Sequence, residues 1–222
     1  IMAISKFNYN SFNVTPVAST ALAFDADADG FSTASATSMV LIKTLTASSS
    51  ANLSFVDGAS SVVLDNTYPV YIFKYINIHP ATDNVQFRFN MSVDTGSNYN
   101  VAKTSTYYYS YQGEDASEGA ALTYYTTGDL GQGTGAQPLS YSLGNGNDES
   151  LSGELIIYNP SSTTFVKNFI ANNNVYHKSD FSQERFVAGY GNTTSAVDAI
   201  QFTMSSGNID AGTIKLYGIK DS

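Results

Sequence analysis

The chain has 222 residues, 42% hydrophobic and 13% aromatic, a size and apolar share that one large sandwich or barrel accounts for without a second domain. Charged residues make up only 13% and the net charge is −9, which argues against nucleic acid and anionic membrane as partners, since both need clustered Lys and Arg. There is no cysteine, so a disulfide framework and a thiolate metal site are excluded, and the polar surface falls to Ser, Thr, Asn, Gln, Gly and Tyr, which hydrogen-bond sugars or neighbouring subunits without desolvating ions.

Residues 1–37 are rich in Ser, Ala, Thr and Asn with weak periodicity, and read as an N-terminal arm or connector that packs on a partner. Ile1 to Asn10 lacks the charged and apolar regions of a signal peptide, and no apolar run approaches the roughly 20 residues that span a bilayer. Asp25, Asp27 and Asp29, followed by Gly30, have the alternate-oxygen spacing of a calcium loop, with Thr33 at the ninth position. The twelfth position is Ala36 rather than a bidentate Glu, and no helices flank it. Two readings are therefore open, a structural calcium ion or a solvated acidic turn. No other cofactor is called for.

From residue 38 onward the chain reads as strands separated by turn chemistry. The first two are Ser38–Thr46 and Asn52–Val56. Val70–Ile78 is apolar on both faces and is expected centrally. In Val85–Val93 every odd position is apolar, so Val85, Phe87, Phe89, Met91 and Val93 are expected to face a core. The turn formers of His79–Asn84 predict a hairpin between these two strands. Further strands follow at Thr104–Tyr111, Gly153–Tyr158, Thr163–Ile170, Arg185–Gly189, Ala199–Met204 and Thr213–Ile219, with a turn near Thr194–Asp198 as the only helical candidate. The fold class is all-β, an antiparallel jelly-roll-like β-sandwich over 38–222 with an N-terminal arm.

The stretch 112–150 is dense in Gly, Asp and Ser and reads as a long insertion, where binding commonly resides. Next to it stands a tyrosine concentration, Tyr107 to Tyr111 and then Tyr124 and Tyr125. Alternate tyrosines on a strand point to opposite faces, so about half of this run is exposed or covered by a partner. Exposed rings stack on sugar C–H faces, which makes Tyr108, Tyr109, Tyr111, Tyr124 and Tyr125 the candidate ligand platform; intersubunit packing is the competing reading.

No catalytic apparatus is expected. The two histidines, His79 and His177, belong to no metal-binding spacing, and there is no Gly-x-Ser-x-Gly elbow. Glu114, Asp115 and Glu118 cluster in one loop and Asp148 with Glu149 in another; these read as solvated turns rather than the paired carboxylates of a glycosidase.

Four segments carry a family resemblance: Ser38–Thr44, Tyr75–Asp83, Ser152–Val166 and Met204–Gly218. Together they resemble stretches of marine tailed-phage proteins, of cyanophage type, regarded as tail-fibre-like or other virion appendage components. The resemblance runs through residues 38–219 in order and leaves the arm outside. It implies a virion structural protein, a tail fibre or knob, made in host cytoplasm and released by lysis, with other virion proteins as partners. A homo-oligomer, a trimer by analogy with phage fibres, and recognition of a host-surface glycan go with it. A capsid decoration subunit without a receptor is the alternative, and a polysaccharide depolymerase the third reading.

Overall fold

A computed structural model describes residues 20–24, 31–35, 38–116 and 122–221. The chain divides between residues 38 and 39 into an N-terminal unit and a larger one. Within the first, β1 (Thr20–Phe24) and β2 (Phe31–Ser35) pair antiparallel, Thr20 with Ser35 and Phe24 with Phe31. Asp25, Asp27 and Asp29, the expected calcium loop, lie outside the described residues.

The larger unit runs β3 (Met39–Thr46), β4 (Leu53–Val56), β5 (Val70–Pro80), β6 (Phe87–Ser92), β7 (Lys103–Gly113), β8 (Thr123–Tyr124) and β9 (Gln137–Pro138). It continues with β10 (Leu151–Tyr158), β11 (Lys167–His177), β12 (Phe181–Gly191), β13 (Ala199–Met204) and β14 (Ile209–Ile219). Every pairing is antiparallel, and no helix occurs among the described residues. An eight-stranded sheet has the order β3-β14-β5-β10-β11-β12-β7-β8 and a four-stranded sheet the order β4-β13-β6-β9.

This order is the jelly-roll wrap. The first strand of the unit pairs with the last (β3 with β14) and the second with the last but one (β4 with β13); β5 and β10 then extend one sheet, β6 and β9 the other. Two insertions depart from the eight-strand plan. β7–β8 follows β6, β11–β12 follows β10, and the two pair with each other through β12 and β7 to widen the larger sheet.

The sandwich closes because period-two alternation delivers aromatic rings to the inner faces. Tyr71, Phe73 and Tyr75 of β5 point inward and are fully buried or nearly so, as are Phe55, Phe87 and Phe202 of the opposite sheet. Phe73 meets Phe55 edge-on at 5.2 Å, and Tyr75 meets Phe87 edge-on at 5.2 Å, both across the two sheets. Burying one such ring contributes about 1.5–3 kcal/mol, so this cluster is the main inter-sheet adhesive. Where β5 and β14 change register, Asn77 (φ 50°) and Gly212 (φ 114°) take left-handed conformations, and a Cβ on Gly212 would lie 2.6 Å from the Asn77 carbonyl.

Four local expectations are corrected. Val70–Ile78 and Val85–Val93 do not form a hairpin: β5 and β6 lie in different sheets, and 81–86 crosses between them. Alternation reports which face of a strand is buried, not which strand lies beside it. Val93 is 38% exposed, just past the end of β6. Residues 163–166 are loop, with Phe165 70% exposed, and the strand instead runs from Lys167 through the Asn172–Asn174 run to His177. Residues 194–198 are not helical. The stretch 112–150 also supplies core, since Gln137, Leu139, Ser140 and Leu143 are fully buried.

Candidate binding face of the eight-stranded sheet

The outer face of the large sheet is the side turned away from the four-stranded sheet, and its composition follows from strand parity. Registers that continue from strand to strand assemble transverse rows. One row reads Tyr124, Tyr108, Phe186, Asn172, Glu154, Lys74 from β8 to β5. The next reads Thr106, Ala188, Ile170, Ile156, Ile72, Tyr217 and ends at Leu41 on β3. Most large apolar side chains left exposed among the described residues lie on this face: Leu41, Ile76, Tyr108, Tyr158, Ile170 and Phe186, together with Tyr124. Tyr108 and Tyr124 meet edge-on at 5.0 Å, and the Tyr124 hydroxyl donates to Asp129 Oδ2 at 2.6 Å.

Two grooves cross this face. The larger, about 750 Å³, is polar and is lined among others by Lys74, Glu154, Asn172, Asn174, Ser182 and Glu184. Lys74 Nζ and Glu154 Oε2 form an ion pair at 2.9 Å, and Asn174 Nδ2 donates to Ser182 Oγ at 3.0 Å. The second groove, about 520 Å³, is more apolar and is lined by Thr106, Tyr158, Asn168, Ile170, Ala188 and Tyr190 among others. Hydroxyls and amides beside rings are the groups that meet a sugar's alternating O–H and C–H surfaces. An acidic polymer would meet the Glu184 carboxylate and a chain of net charge −9.

The five tyrosines singled out in the sequence do not share this face. Tyr108 and Tyr124 lie on it. Tyr109, Tyr111 and Tyr125 lie on the inner side, where Tyr107 is fully buried. There Tyr109 stacks on Tyr111 at 6.1 Å, and Tyr125 meets Tyr109 at 5.8 Å, Tyr107 at 5.4 Å and Tyr141 at 5.1 Å. The centre of that group is Arg185, 2% exposed, with its guanidinium against the rings of Tyr107, Tyr109, Tyr125 and Tyr141. Residues 125–143 close this part of the inner face: Tyr125 N donates to Tyr107 O at 2.7 Å, and Asn173 Nδ2 donates to Leu139 O at 3.2 Å. Gly128 lies so close to Tyr107 that a Cβ would stand 2.1 Å from its ring. Burial holds the Tyr107 hydroxyl far above the ordinary tyrosine range, with Arg185 opposing the shift. Four of the six tyrosines, Tyr107, Tyr109, Tyr111 and Tyr125, thus form a packing device that strand parity separates from the exposed pair Tyr108 and Tyr124.

The other chemistry-bearing residues are dispersed. His79 Nε2 is 3.1 Å from Gly146 O, and its Nδ1 is 3.8 Å from Asp210 Oδ2. The His177 ring stacks on Phe181 at 5.2 Å, and its Nδ1 accepts from Ser179 N at 3.2 Å; burial, with Arg185 and Lys178 nearby, holds its pKa below the usual histidine value. Glu114 accepts from the Tyr176 hydroxyl at 2.8 Å, which pushes that phenol up to about 12. Glu149 accepts from Gly146 N, while Glu118 lies outside the described residues. Among the described residues no group of His, Asp and Glu has metal-holding geometry.

Parity on β11 and β12 also identifies residues that the tyrosine count passes over. Asn168, Ile170, Asn172 and Asn174 alternate outward on β11, as do Ser182, Glu184, Phe186 and Ala188 on β12. Period-two polarity is weak on β11, because Ile170 faces outward and Asn173 inward, so its outward residues carry little signal in sequence.

Fold and face together define the class: an all-β sandwich of jelly-roll topology with a widened sheet whose outer face carries two grooves. No family model, curated protein or solved structure gives a significant match to the chain.

Proposed function

We propose that this chain is a structural module of a phage virion appendage that recognises a neutral host-surface glycan on the outer face of its eight-stranded sheet. The observation that carries the reading is the polar groove of about 750 Å³, whose Asn172 pairs across the strands with Phe186, the start of the transverse run Phe186, Tyr108 and Tyr124 on the same face. Rings, amides and hydroxyls standing on rigid strands offer stacking and hydrogen bonds at low ordering cost. The virion part of the reading rests on the four segments that resemble tailed-phage appendage proteins. Copies arranged around an appendage, a trimer by the same analogy, would turn weak single sites into firm attachment. Binding is proposed to occur without cleavage. Glu154 is held by Lys74 at 2.9 Å, and Glu184 stands on the far side of β11, about 10 Å across the sheet.

An array of neutral and acidic bacterial surface polysaccharides tests the reading. Binding to a neutral member, lost on Phe186→Ala with the fold intact by circular dichroism, supports it; no binding to any member removes it. One observation favours a second reading, a decoration subunit docked on another virion protein: the aliphatic row Leu41, Ile72, Ile156 and Ile170 on the same face. That reading predicts a silent array, with purified virions stripped of the protein recapturing it and Ile170→Glu abolishing recapture.

A further inference from the structure

We infer that the outer face binds an internal stretch of a linear neutral polysaccharide, laid along β11 over two like subsites. The inference rests on the glycan reading above and specifies its ligand. On β11 the outward amides are Asn168, Asn172 and Asn174. Across to β12, Asn172 pairs directly with Phe186 and Asn168 with Tyr190. The same ring-and-amide pair therefore occurs twice, four residues apart along one strand.

Neither the Asn168 nor the Asn172 side chain hydrogen-bonds to any described residue, whereas Asn174 is engaged by Ser182. A free amide carries both donors and acceptor, which suits adjacent sugar hydroxyls, while the ring beside it suits the C–H face. The two pairs lie about 13 Å apart at strand rise, farther than one sugar ring reaches.

Between them stand Ile170 and Ala188, paired across β11 and β12. Asn172 lines the larger groove and Ile170 the smaller, so the two grooves abut within two residues of β11. Tyr158 borders Asn168's end of the track, on the side away from Tyr190. Among the residues lining the larger groove, the ion pair of Lys74 with Glu154 leaves Glu184 as the charge without a partner, which disfavours acidic repeats in that groove.

The test uses the neutral polysaccharide bound best on the array, partially hydrolysed into a ladder from one sugar unit upward, and calorimetry on the full chain. Affinity is expected to rise with length until both pairs are covered and then level off. Tyr190→Ala and Asn168→Ala are each expected to weaken long oligomers about tenfold and leave the shortest binding sugars unchanged. Both positions are on the outer face, and circular dichroism checks that the variants fold. Affinity independent of length, or equal losses for the shortest and longest sugars, overturns this inference and leaves the glycan reading standing. Preference for acidic repeats overturns the charge argument and with it the inference. Binding to no arrayed glycan overturns both.

Discussion

The guanidinium carbon of Arg185 lies 4.5 Å from the ring centroid of Tyr109, the residue paired with it across β12 and β7. Tyr107, Tyr125 and Tyr141 stand at 5.4, 5.3 and 5.6 Å, and Gln183 Oε1 accepts from Arg185 Nε and Nη2 at 3.2 and 2.6 Å. Among the described residues no carboxylate pairs with this charge. The rings and one amide oxygen therefore replace water around it, which a flat, weakly hydrated guanidinium tolerates and a compact ammonium does not.

Three substitutions at Arg185 separate packing from charge. Arg185→Ala leaves a cavity among the rings and is expected to cost about 3–5 kcal/mol. Arg185→Met keeps most of the volume without the buried charge and is expected to cost about 1 kcal/mol. Arg185→Lys is expected to be worse than Met, because its ammonium meets a single acceptor. Urea unfolding of the three variants gives the ranking, and Lys milder than Met would show that the charge itself holds the loop 125–143.

Lys103 is fully buried, donating to Asn90 Oδ1 and to Val101 O, the latter at 2.8 Å; desolvation lowers its pKa to about 8. The unfolded chain holds this proton until about pH 10.4. Between those values the unfolded state binds more protons than the folded one, so stability rises with pH through the window, and below pH 8 the full penalty applies. Above about pH 10 the buried Tyr71, Tyr75 and Tyr107, whose hydroxyls burial holds protonated, reverse the slope. Stability measured by urea should peak near pH 9–10, and Lys103→Met should flatten the rise. A wild-type curve with no rise above pH 8 would contradict the assignment.

Lys167 is the second fully buried lysine, and its ammonium gathers three carbonyls, Ser162 O at 2.7 Å, Phe165 O at 2.7 Å and Thr193 O at 3.1 Å. Lys167→Met strips the donor from all three and is expected to cost about 2 kcal/mol. Amide exchange at Thr164 and Phe165, which donate to Ser162 Oγ at 3.2 and 3.0 Å, should quicken before exchange in β11. Unchanged exchange in this loop would mean that backbone turns alone hold it.

The two faces of the tyrosine run should respond oppositely. Phe186→Ala and Tyr108→Ala, on the outer face, are expected to weaken glycan binding about tenfold with little change in unfolding midpoint. Tyr107→Ala is expected to lose about 3–5 kcal/mol of stability, since its ring is fully buried. Calorimetric titration beside thermal unfolding of each variant reads both quantities.

Alternation in single strands was legible without coordinates: Phe87, Phe89 and Met91 are buried as their spacing requires, and Ala199–Met204 is a strand at those bounds. The face was less legible. Phe186 and Asn172 lie fourteen positions apart in sequence, and only the register of β11 on β12 makes them neighbours. The inward tyrosines announced themselves by number, yet their partner Arg185 carried no local signal.

The sequence by itself determined the fold class, the absence of any disulfide and which side of a cleanly alternating strand, such as the one carrying Phe87, Phe89 and Met91, turns inward, because those properties depend on residues one or two positions apart. Tertiary structure alone decided that β5 and β6 part into different sheets, that β7 finds β12, and that rings and amides from β8, β7, β12 and β11 line up in one row. Strand pairing is set by the summed burial of whole faces against distant segments, and no short window of sequence contains that sum.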